Sequence, residues 1–318
     1  MRDFHILVVR LGAMGDVIHA LPAVASLKHS FPHSRVSWVI RPRWMALLEG
    51  NPFVDQVIPL DRNMASMAKT WRRLRQEKFD LAVDFQGLVQ SALVAAAARP
   101  DRIVGFHRSQ AWERCASLFY STGVVTNAAH IVDRNLELVS AAGASSLLRT
   151  FRMPNGAPEG SLPQEKFVLA SPLAGWGSKQ WPLEGYADLA RQLDLPLVVN
   201  GPPEAKETLS RIRGVHVHVS GLPGLIDATR RAHAVIGVDS GPMHLAAALG
   251  KPGIAIFGPT DPARNGPYGG SLRVLRNADA VTTYKRHNDG EAMRSVTPTL
   301  VAQALSAVLE SKSASCPA

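Results

Sequence analysis

Ala234–Asp261, AVIGVDSGPMHLAAALGKPGIAIFGPTD, is the stretch from which the fold of this chain can be worked out. Its flanks, Ala234–Val238 and Ile254–Phe257, are short apolar runs rich in β-branched residues, which is typical of buried strands. Between them a Ser-Gly turn precedes Pro242, at the first position of a helix that continues through His244–Leu249. Strand, helix and strand in this order predict a parallel βαβ unit.

The same alternation continues along the rest of the chain. Helical spacing over Trp181–Leu193 is one example of the segments that separate the apolar runs. The other candidate strands are His5–Arg10, Arg35–Ile40, Gln56–Leu60, Leu81–Phe85, Ile103–Phe106, Phe167–Ser171, Leu197–Asn200 and Val215–Val219. We therefore predict an α/β protein with parallel sheets and helices on both faces.

A proline- and glycine-rich segment at 153–163, MPNGAPEGSLP, separates two runs of this alternation. The chain is long enough for two domains, so two Rossmann-like halves facing a central cleft are expected. The expected divisions are a domain at 1–152, a linker at 153–163, a domain at 164–296, a helix at 297–310 and a disordered tail at 311–318.

The composition is ordinary for a globular chain, with 46% hydrophobic and 19% charged residues among 318. It excludes collagen-like, coiled-coil and wholly disordered classes. No apolar stretch approaches the roughly 20 residues that span a bilayer. Two cysteines argue against a disulfide framework, and the first residues lack a signal-peptide pattern. A cytoplasmic location is expected.

Positive charge is concentrated in the first half. Residues 1–152 carry 19 Lys and Arg against 12 Asp and Glu, a net of +7 of the total +9. Much of this excess lies in one stretch, which contains Arg62, Lys69, Arg72, Arg73, Arg75 and Lys78. Such clustering suits a polyanionic partner. A solvated helix face is an equally good interpretation, and nucleic acid is disfavoured because Trp71 is the one aromatic residue among these arginines.

The first predicted strand runs into a loop that contains Gly12 and Gly15, and Asp16 follows. Asp16 either caps the next helix or, if that helix begins near Pro22, lies on the loop as a candidate general base. A dinucleotide fingerprint is incomplete here, but Arg41 at the end of the second strand leaves NADP binding open.

Two further loops suit a phosphate group. The helix after Ala234–Val238 would present its amino end to an anion, with His244 in its first turn. Lys179 precedes another predicted helix that opens at Pro182, and its ammonium could contact a leaving phosphate. Structural roles for both residues remain open. The sequence has no metal-ligand spacing and no Walker motif, so we expect neither a metal nor a cofactor.

Together these segments resemble the bacterial lipopolysaccharide heptosyltransferases of glycosyltransferase family nine. The resemblance rests on three main motifs, Arg10–Asp16 (RLGAMGD), Lys179–Pro182 (KQWP) and Asp239–His244 (DSGPMH). It extends over nearly the whole chain. The segments FDLAVDFQGLVQ at 79–90, ASLFY at 116–120 and HIVDR at 130–134 are most similar to the heptosyltransferase I branch.

The resemblance implies a GT-B enzyme that inverts the anomeric centre without a metal. Its first domain would take an anionic Kdo-lipid A acceptor, and its second would take ADP-L-glycero-β-D-manno-heptose. Asp16 would be the catalytic base. The donor would be bound by Gly175, Lys179, Glu204, Asp239, Ser240, Gly241 and His244. The acceptor would be bound by Gly15, Arg62, Arg72, Arg73, Arg75, Gln86 and Arg134.

The same resemblance implies a monomer that is peripheral to the cytoplasmic face of the inner membrane and closes its domains around the substrates. Two alternatives remain. The acceptor could be one that already carries a heptose, as in the heptosyltransferase II step. The chain could instead be an NADP-binding oxidoreductase or a non-catalytic nucleotide-binding module, given its Rossmann-like alternation and Arg41.

Overall fold

A computed structural model describes residues 4–283 and 291–314 of the chain. They form two compact units, Met1–Pro154 and Asn155–Ala318. The segment expected as a linker, 153–163, contains neither helix nor strand. Much of it packs on the second unit, because the Ala157 N–H donates to the Pro223 carbonyl and the Gly221 N–H donates to the Glu159 carboxylate.

The first unit is a six-stranded parallel sheet with helices. Its strands are β1 His5–Val9, β2 Arg35–Ile40, β3 Gln56–Pro59, β4 Leu81–Asp84, β5 Arg102–Phe106 and β6 Thr122–Val124. Its helices are α1 Met14–Ser30, α2 Met64–Gln76, α3 Val89–Ala97 and α4 Ile131–Ala141. The strand order is β3-β2-β1-β4-β5-β6, and every neighbouring pair is parallel.

The second unit repeats this architecture. Its strands are β7 Val168–Ser171, β8 Leu197–Gly201, β9 His216–Val219, β10 Ala234–Val238, β11 Gly253–Phe257 and β12 Leu272–Arg276. Its helices are α5 Leu183–Ala190, α6 Lys206–Leu209, α7 Leu222–Arg231, α8 Gly241–Ala248, α9 Pro262–Asn265, α10 Glu291–Arg294 and α11 Pro298–Ala314. The order β12-β11-β10-β7-β8-β9 is again parallel throughout.

The expected α/β class is confirmed, with one more strand in each unit than the sequence indicated. Every residue of β1, β10 and β11 is buried, which accounts for their continuous apolar runs in a sheet covered on both faces. The two strands that were missed are edge strands. β6 has only three residues, and β12 (LRVLR) places arginines among its apolar residues, so neither forms a continuous apolar run.

The interpretation that the first helix begins near Pro22 is wrong. Helix α1 begins at Met14 and contains Pro22 in its interior. Proline removes one backbone donor there, but almost every residue from Met14 to Leu27 is buried. The Ser26 hydroxyl donates to the Pro22 carbonyl at 2.7 Å. Tertiary packing of a nearly all-buried helix therefore outweighs the local effect of the proline.

The carboxyl-terminal helix is longer than expected. Helix α11 runs through Ala314, so residues 311–314 are helical and the prediction of a disordered tail is wrong for them. Residues 315–318 lie outside the described part of the chain. None of the helices within the described residues has the length and apolar character needed to cross a bilayer.

Each sheet reverses its strand order at one place. In the first unit the reversal lies between β1 and β4, and in the second it lies between β7 and β10. Ligands of open parallel sheets bind beyond the carboxyl ends of the strands at such a point. Asp16, Gln86, Lys179 and Asp239 all lie shortly after these four strands, Asp16 in the first turn of α1 and the others in the connecting segments.

Candidate active site

Asp16 is held at the start of α1, directly beyond β1. It is the third residue of the helix, and its Oδ2 accepts a hydrogen bond from the Ala13 N–H at 2.9 Å. Its Oδ1 lies 2.7 Å from Arg10 Nη2, and 42% of the side chain is exposed. Asp16 therefore does take part in capping the helix, contrary to the loop interpretation. Its carboxylate nevertheless remains accessible to a substrate.

Gly12 allows this loop to pass close to a tryptophan. Its φ is +147°, a region that L side chains rarely adopt. A Cβ at this position would lie 2.5 Å from Trp44 Nε1. Position 12 therefore requires glycine, both for its backbone conformation and for the close contact with Trp44. Gly15, the other glycine of the loop motif, is a buried residue in the first turn of α1.

The loop after β4 fixes the loop after β1. Arg10 Nη1 donates to the Phe85 carbonyl at 2.6 Å, and the Leu11 N–H donates to Gln86 Oε1 at 2.8 Å. Gln86, expected to contact the acceptor, thus uses its amide oxygen to hold the backbone that leads to Asp16. Sequence analysis missed Arg10 as the partner of Asp16. Its position at the end of the first strand was the available signal.

Asp84 anchors the loop that carries Gln86. One oxygen accepts the Gln86 N–H at 2.8 Å, and the other accepts the hydroxyls of Tyr120 at 2.7 Å and Ser91 at 2.8 Å. Burial raises the pKa of Asp84, and the hydrogen bonds from Gln86, Tyr120 and Ser91 oppose that rise. Burial, and then the Asp84 charge, raise the pKa of Tyr120. The buried carboxylate of Asp84 thus ties the loop of Gln86 to Tyr120 and Ser91, and Gln86 in turn holds the loop after β1.

The predicted acceptor arginines are spread over several elements. Arg62 is exposed just before α2, and Arg72 and Arg75 are exposed on that helix. Arg73 pairs with Glu77 at 3.8 Å, and the Arg75 guanidinium lies 5.4 Å from the centre of the Trp71 ring.

Arg134 belongs to α4, where its Nε donates to the Thr126 hydroxyl at 2.9 Å. The structure therefore joins Gly15 and Gln86 to the loop of Asp16. It places most of the predicted arginines on and beside α2.

The second unit brings three predicted donor residues together beyond β7 and β10. Lys179 Nζ lies 2.6 Å from Asp239 Oδ2, and the Thr260 hydroxyl donates to the same oxygen at 2.6 Å. His244 Nε2 lies 3.8 Å from Asp239 Oδ1. Burial alone would raise the pKa of Asp239, but hydrogen bonding to His244 and the charge of Lys179 hold it well below its usual range. Asp239 is therefore a carboxylate at neutral pH.

Ser240 lies at the amino end of α8 with its hydroxyl unused. It is the N-cap, Gly241 is the first helical residue, and Pro242 follows at the second position rather than the expected first. The buried Ser240 Oγ has no hydrogen-bond partner among the described residues, and neither does the buried Oγ of Ser178, next to Lys179. Such unused buried hydroxyls are uncommon in folded proteins, and both are available to donate a hydrogen bond to a ligand. Sequence analysis missed Ser178.

Gly175 and Glu204 lie farther along the same edge. Gly175 is exposed in the loop after β7, and a Cβ there would meet no atom within 4 Å. Glu204 is exposed in a 3-10 turn, Pro203–Ala205, directly after β8. The Lys179 ammonium also lies 4.5 Å from the centre of the Trp176 ring. In the part of the chain that the structure describes, no three His, Cys, Asp or Glu side chains cluster to hold a metal ion.

The family model of glycosyltransferase family 9 (heptosyltransferase) matches residues 67–293. The chain belongs to this family. It is therefore a glycosyltransferase, and the expectation drawn from the motifs is confirmed.

Among known proteins, the glycosyltransferase is similar to lipopolysaccharide heptosyltransferase 1 of Pseudomonas aeruginosa. The two are 29% identical over 84% of this chain and 82% of the relative. It is 28% identical to lipopolysaccharide heptosyltransferase 1 of Escherichia coli K12, over 85% of this chain and 93% of the relative.

A solved structure, E. coli heptosyltransferase WaaC with ADP-2-deoxy-2-fluoro heptose, superposes with a TM-score of 0.75 and 26% identity. The superposition covers 94% of this chain and 98% of that one. This likeness, with the two six-stranded parallel sheets, confirms the GT-B fold class.

Proposed function

We propose that this glycosyltransferase moves L-glycero-D-manno-heptose from ADP-heptose to a Kdo residue of Kdo-lipid A, in the inner core of lipopolysaccharide. Its similarity to lipopolysaccharide heptosyltransferases of type 1 supports heptose transfer in lipopolysaccharide synthesis, and the WaaC structure with an ADP-heptose analogue supports the donor. The observation that carries the proposal is the unpartnered buried hydroxyl of Ser240, at the amino end of α8 and adjacent to the Lys179–Asp239 pair.

The donor diphosphate would be held by groups that carry positive or partial positive charge. Lys179, the Ser240 hydroxyl, the Gly241 amide and His244 lie around the amino end of α8, where the helix dipole favours an anion. Negative charge grows on ADP as the bond between the sugar and the phosphate breaks. Fixed donors aimed at that charge lower the barrier, by about 3 kcal/mol for one well-placed group.

Asp239 would position these donors rather than bind the diphosphate. Its carboxylate is already engaged by Lys179, Thr260 and His244, so it orients the lysine and the imidazole towards the bound nucleotide. Glu204, beyond the neighbouring strand β8, would contact the ribose. The groups assigned to the diphosphate itself, from Lys179, Ser240, Gly241 and His244, are cationic or neutral, and the proposed mechanism neutralises the diphosphate with them and without a metal ion.

Asp16 would act as the general base. The acceptor hydroxyl oxygen forms a bond to the anomeric carbon while the bond from that carbon to the β-phosphate oxygen breaks, and its electron pair leaves with ADP. The acceptor proton passes to Asp16, whose carboxylate is fixed by Arg10 and Ala13. Attack from the face opposite to ADP inverts the anomeric configuration.

The anionic acceptor would dock along the basic residues of the first unit. Arg62, Arg72 and Arg75 are exposed there, and they suit the phosphates and carboxylates of a Kdo-linked lipid. We propose a monomer that works at the cytoplasmic face of the inner membrane, where such a lipid presents its sugars.

Product analysis tests the proposal directly. The purified protein would be incubated with ADP-heptose and a Kdo-terminated acceptor, with and without EDTA, and the product would be examined by mass spectrometry and by NMR of the anomeric proton. We expect one added heptose, an inverted anomeric centre and no effect of EDTA. Transfer only to an acceptor that already carries heptose would assign the second step instead. Thermal stabilisation by NADPH but not by ADP would contradict the whole proposal.

A further inference from the structure

Helices α2 and α3 of the first unit enclose an apolar cavity of about 310 Å³. Its walls include Leu60, Met67, Trp71, Leu74, Leu93 and Val94. Met67, Trp71 and Leu74 recur at helical spacing, so they present one continuous face of α2. The volume falls at the lower end of the range of about 300–1,000 Å³ found for small-molecule sites. Trp71 and Leu93 are each more than a third exposed, so the cavity reaches the surface.

Two guanidinium groups lie against the walls of this cavity. Arg75 stacks over the Trp71 ring at 5.4 Å. Arg41 donates from Nη2 to Gln90 Oε1 and from Nη1 to the Leu60 carbonyl, both at 3.0 Å, and both of these residues line the cavity. An apolar cavity bordered by fixed cations is complementary to an alkyl chain that carries an anionic group.

Arg41 also connects the cavity to the candidate base. Its backbone N–H donates to the Leu11 carbonyl at 3.2 Å, and Leu11 belongs to the loop that runs from Arg10 to Asp16. Gln90, which accepts a hydrogen bond from the Arg41 side chain, lies in the first turn of α3. Arg41 therefore links the cavity wall, through Gln90 and Leu60, to the backbone that leads to Asp16.

We propose that this cavity binds one acyl chain of the lipid acceptor, while Arg41 and Arg75 contact its anionic groups. The inference rests on the proposed function, because it takes the acceptor to be a sugar linked to a lipid. The acceptor is thereby recognised as a whole amphiphile, with the sugar at Asp16 and a chain between α2 and α3. A peptide or a membrane phospholipid in the same cavity would contradict this assignment.

Direct binding can be measured without turnover. Bromododecyl phosphate carries heavy-atom quenchers on its chain, and Trp71 forms part of the cavity wall. We expect bromododecyl phosphate to quench tryptophan fluorescence saturably, and most of this quenching should be lost in Trp71→Phe. Bromododecyl maltoside, which has no anionic group, should bind at least fivefold more weakly than the phosphate. Inorganic phosphate should neither quench nor compete. Equal quenching in Trp71→Phe would overturn the proposal.

Kinetics with acylated and fully deacylated acceptors test whether the acyl chain in the cavity belongs to the acceptor. Leu93→Trp fills the cavity, and Leu147→Trp is its matched control because both leucines are 39% exposed and Leu147 does not line the cavity. We expect Leu93→Trp to raise KM for the acylated acceptor at least fivefold and to leave KM for the deacylated one unchanged. Leu147→Trp should change neither.

The remaining outcomes separate this inference from the proposed function. An equal rise of KM for both acceptors in Leu93→Trp would overturn the inference. So would a Leu93→Trp variant that binds anionic phospholipid vesicles less well but has unchanged KM values for both acceptors. Absence of transfer to any Kdo-terminated acceptor would instead refute the proposed function. In that case, loss of the quenching by bromododecyl phosphate in Trp71→Phe would still establish that the cavity takes an anionic alkyl chain.

Discussion

Arg10 Nη2 lies 2.7 Å from Asp16 Oδ1, and the other terminal nitrogen of the same guanidinium donates to the Phe85 carbonyl. One planar group thus ties the candidate base to the loop after the neighbouring strand. Only arginine presents two such donors in a rigid fork. Arg10 is 9% exposed, so the pair is shielded from salt more than a surface ion pair would be. The geometry of Asp16 therefore depends on Arg10.

Replacement of Asp16 tests the base itself. Asp16→Asn keeps the size of the side chain but removes the proton acceptor, so kcat should fall by about 10² to 10⁴. The ADP dissociation constant, measured by calorimetry, should change little because the donor residues lie in the other unit. Wild-type turnover in Asp16→Asn would show that the base has been assigned to the wrong residue.

Replacement of Arg10 tests positioning. Arg10→Ala should lower kcat by about a hundredfold, which is the cost expected when a catalytic group moves by about 1 Å. Arg10→Lys keeps one charge–charge contact and should recover part of that loss. Both variants should leave donor KM within about twofold of wild type, since the residues proposed to bind the nucleotide all belong to the second unit. A fall in thermal stability with unchanged kcat would mean that Arg10 is purely structural.

Individual residues show how much of the fold and of the candidate site the sequence predicts. Alternating apolar runs indicated the parallel sheets, and the glycine-bearing loops after the first and tenth strands indicated where chemistry would lie. Pro22 misled the prediction of the first helix, because helix boundaries depend on burial that local sequence does not reveal. The contact between Lys179 and Asp239 joins residues far apart in the chain, and only the strand order brings β7 next to β10.

The unused hydroxyls lead to a prediction on nucleotide binding. Ser240→Ala and Ser178→Ala should each weaken ADP binding by about ten- to a hundredfold, because a hydrogen bond to a charged group contributes about 1.5–3 kcal/mol. Neither change should destabilise the free protein, since neither hydroxyl has a partner to lose.

Ser271→Ala is the matched control for these two variants. The Ser271 hydroxyl is also buried without a partner among the described residues, but it precedes β12 at the opposite, amino end of that strand. Calorimetry with ADP and thermal unfolding measure both properties. Equal loss of affinity in the three variants would contradict the assigned diphosphate site.

The Lys179–Asp239 pair predicts a stability that depends on pH. The pKa of Asp239 is lower in the folded protein than in the unfolded chain, so its stabilisation is present above the unfolded pKa of about 3.9 and is lost as pH falls. Asp239→Asn should cost about 3–5 kcal/mol at pH 7, because it leaves a mostly buried ammonium unpaired.

Urea unfolding of wild type and Asp239→Asn between pH 8 and pH 3 measures this difference. The free energies of unfolding should differ by a constant amount from pH 8 to pH 6 and should converge as the pH falls below about 4. Arg191→Ala, which breaks an exposed pair with Asp188, provides the comparison and should cost at most about 1 kcal/mol. A gap that widens in acid would contradict the lowered pKa of Asp239.

The exposed arginines of α2 lead to a prediction on how the acceptor KM depends on charge and ionic strength. Replacing Arg72 and Arg75 together by alanine should raise the KM of an anionic acceptor about tenfold or more and leave the donor KM unchanged, since charges on one unit act on the substrate bound there. Arg73 is spared because it already pairs with Glu77. The double variant Arg213→Ala and Arg273→Ala also removes two exposed charges, but from the second unit, and it should alter neither KM. Raising the ionic strength should increase the acceptor KM of wild type more steeply than that of the α2 double variant, because screening acts on the charges that the variant lacks. Parallel salt dependence in the two proteins would show that α2 presents only a solvated surface.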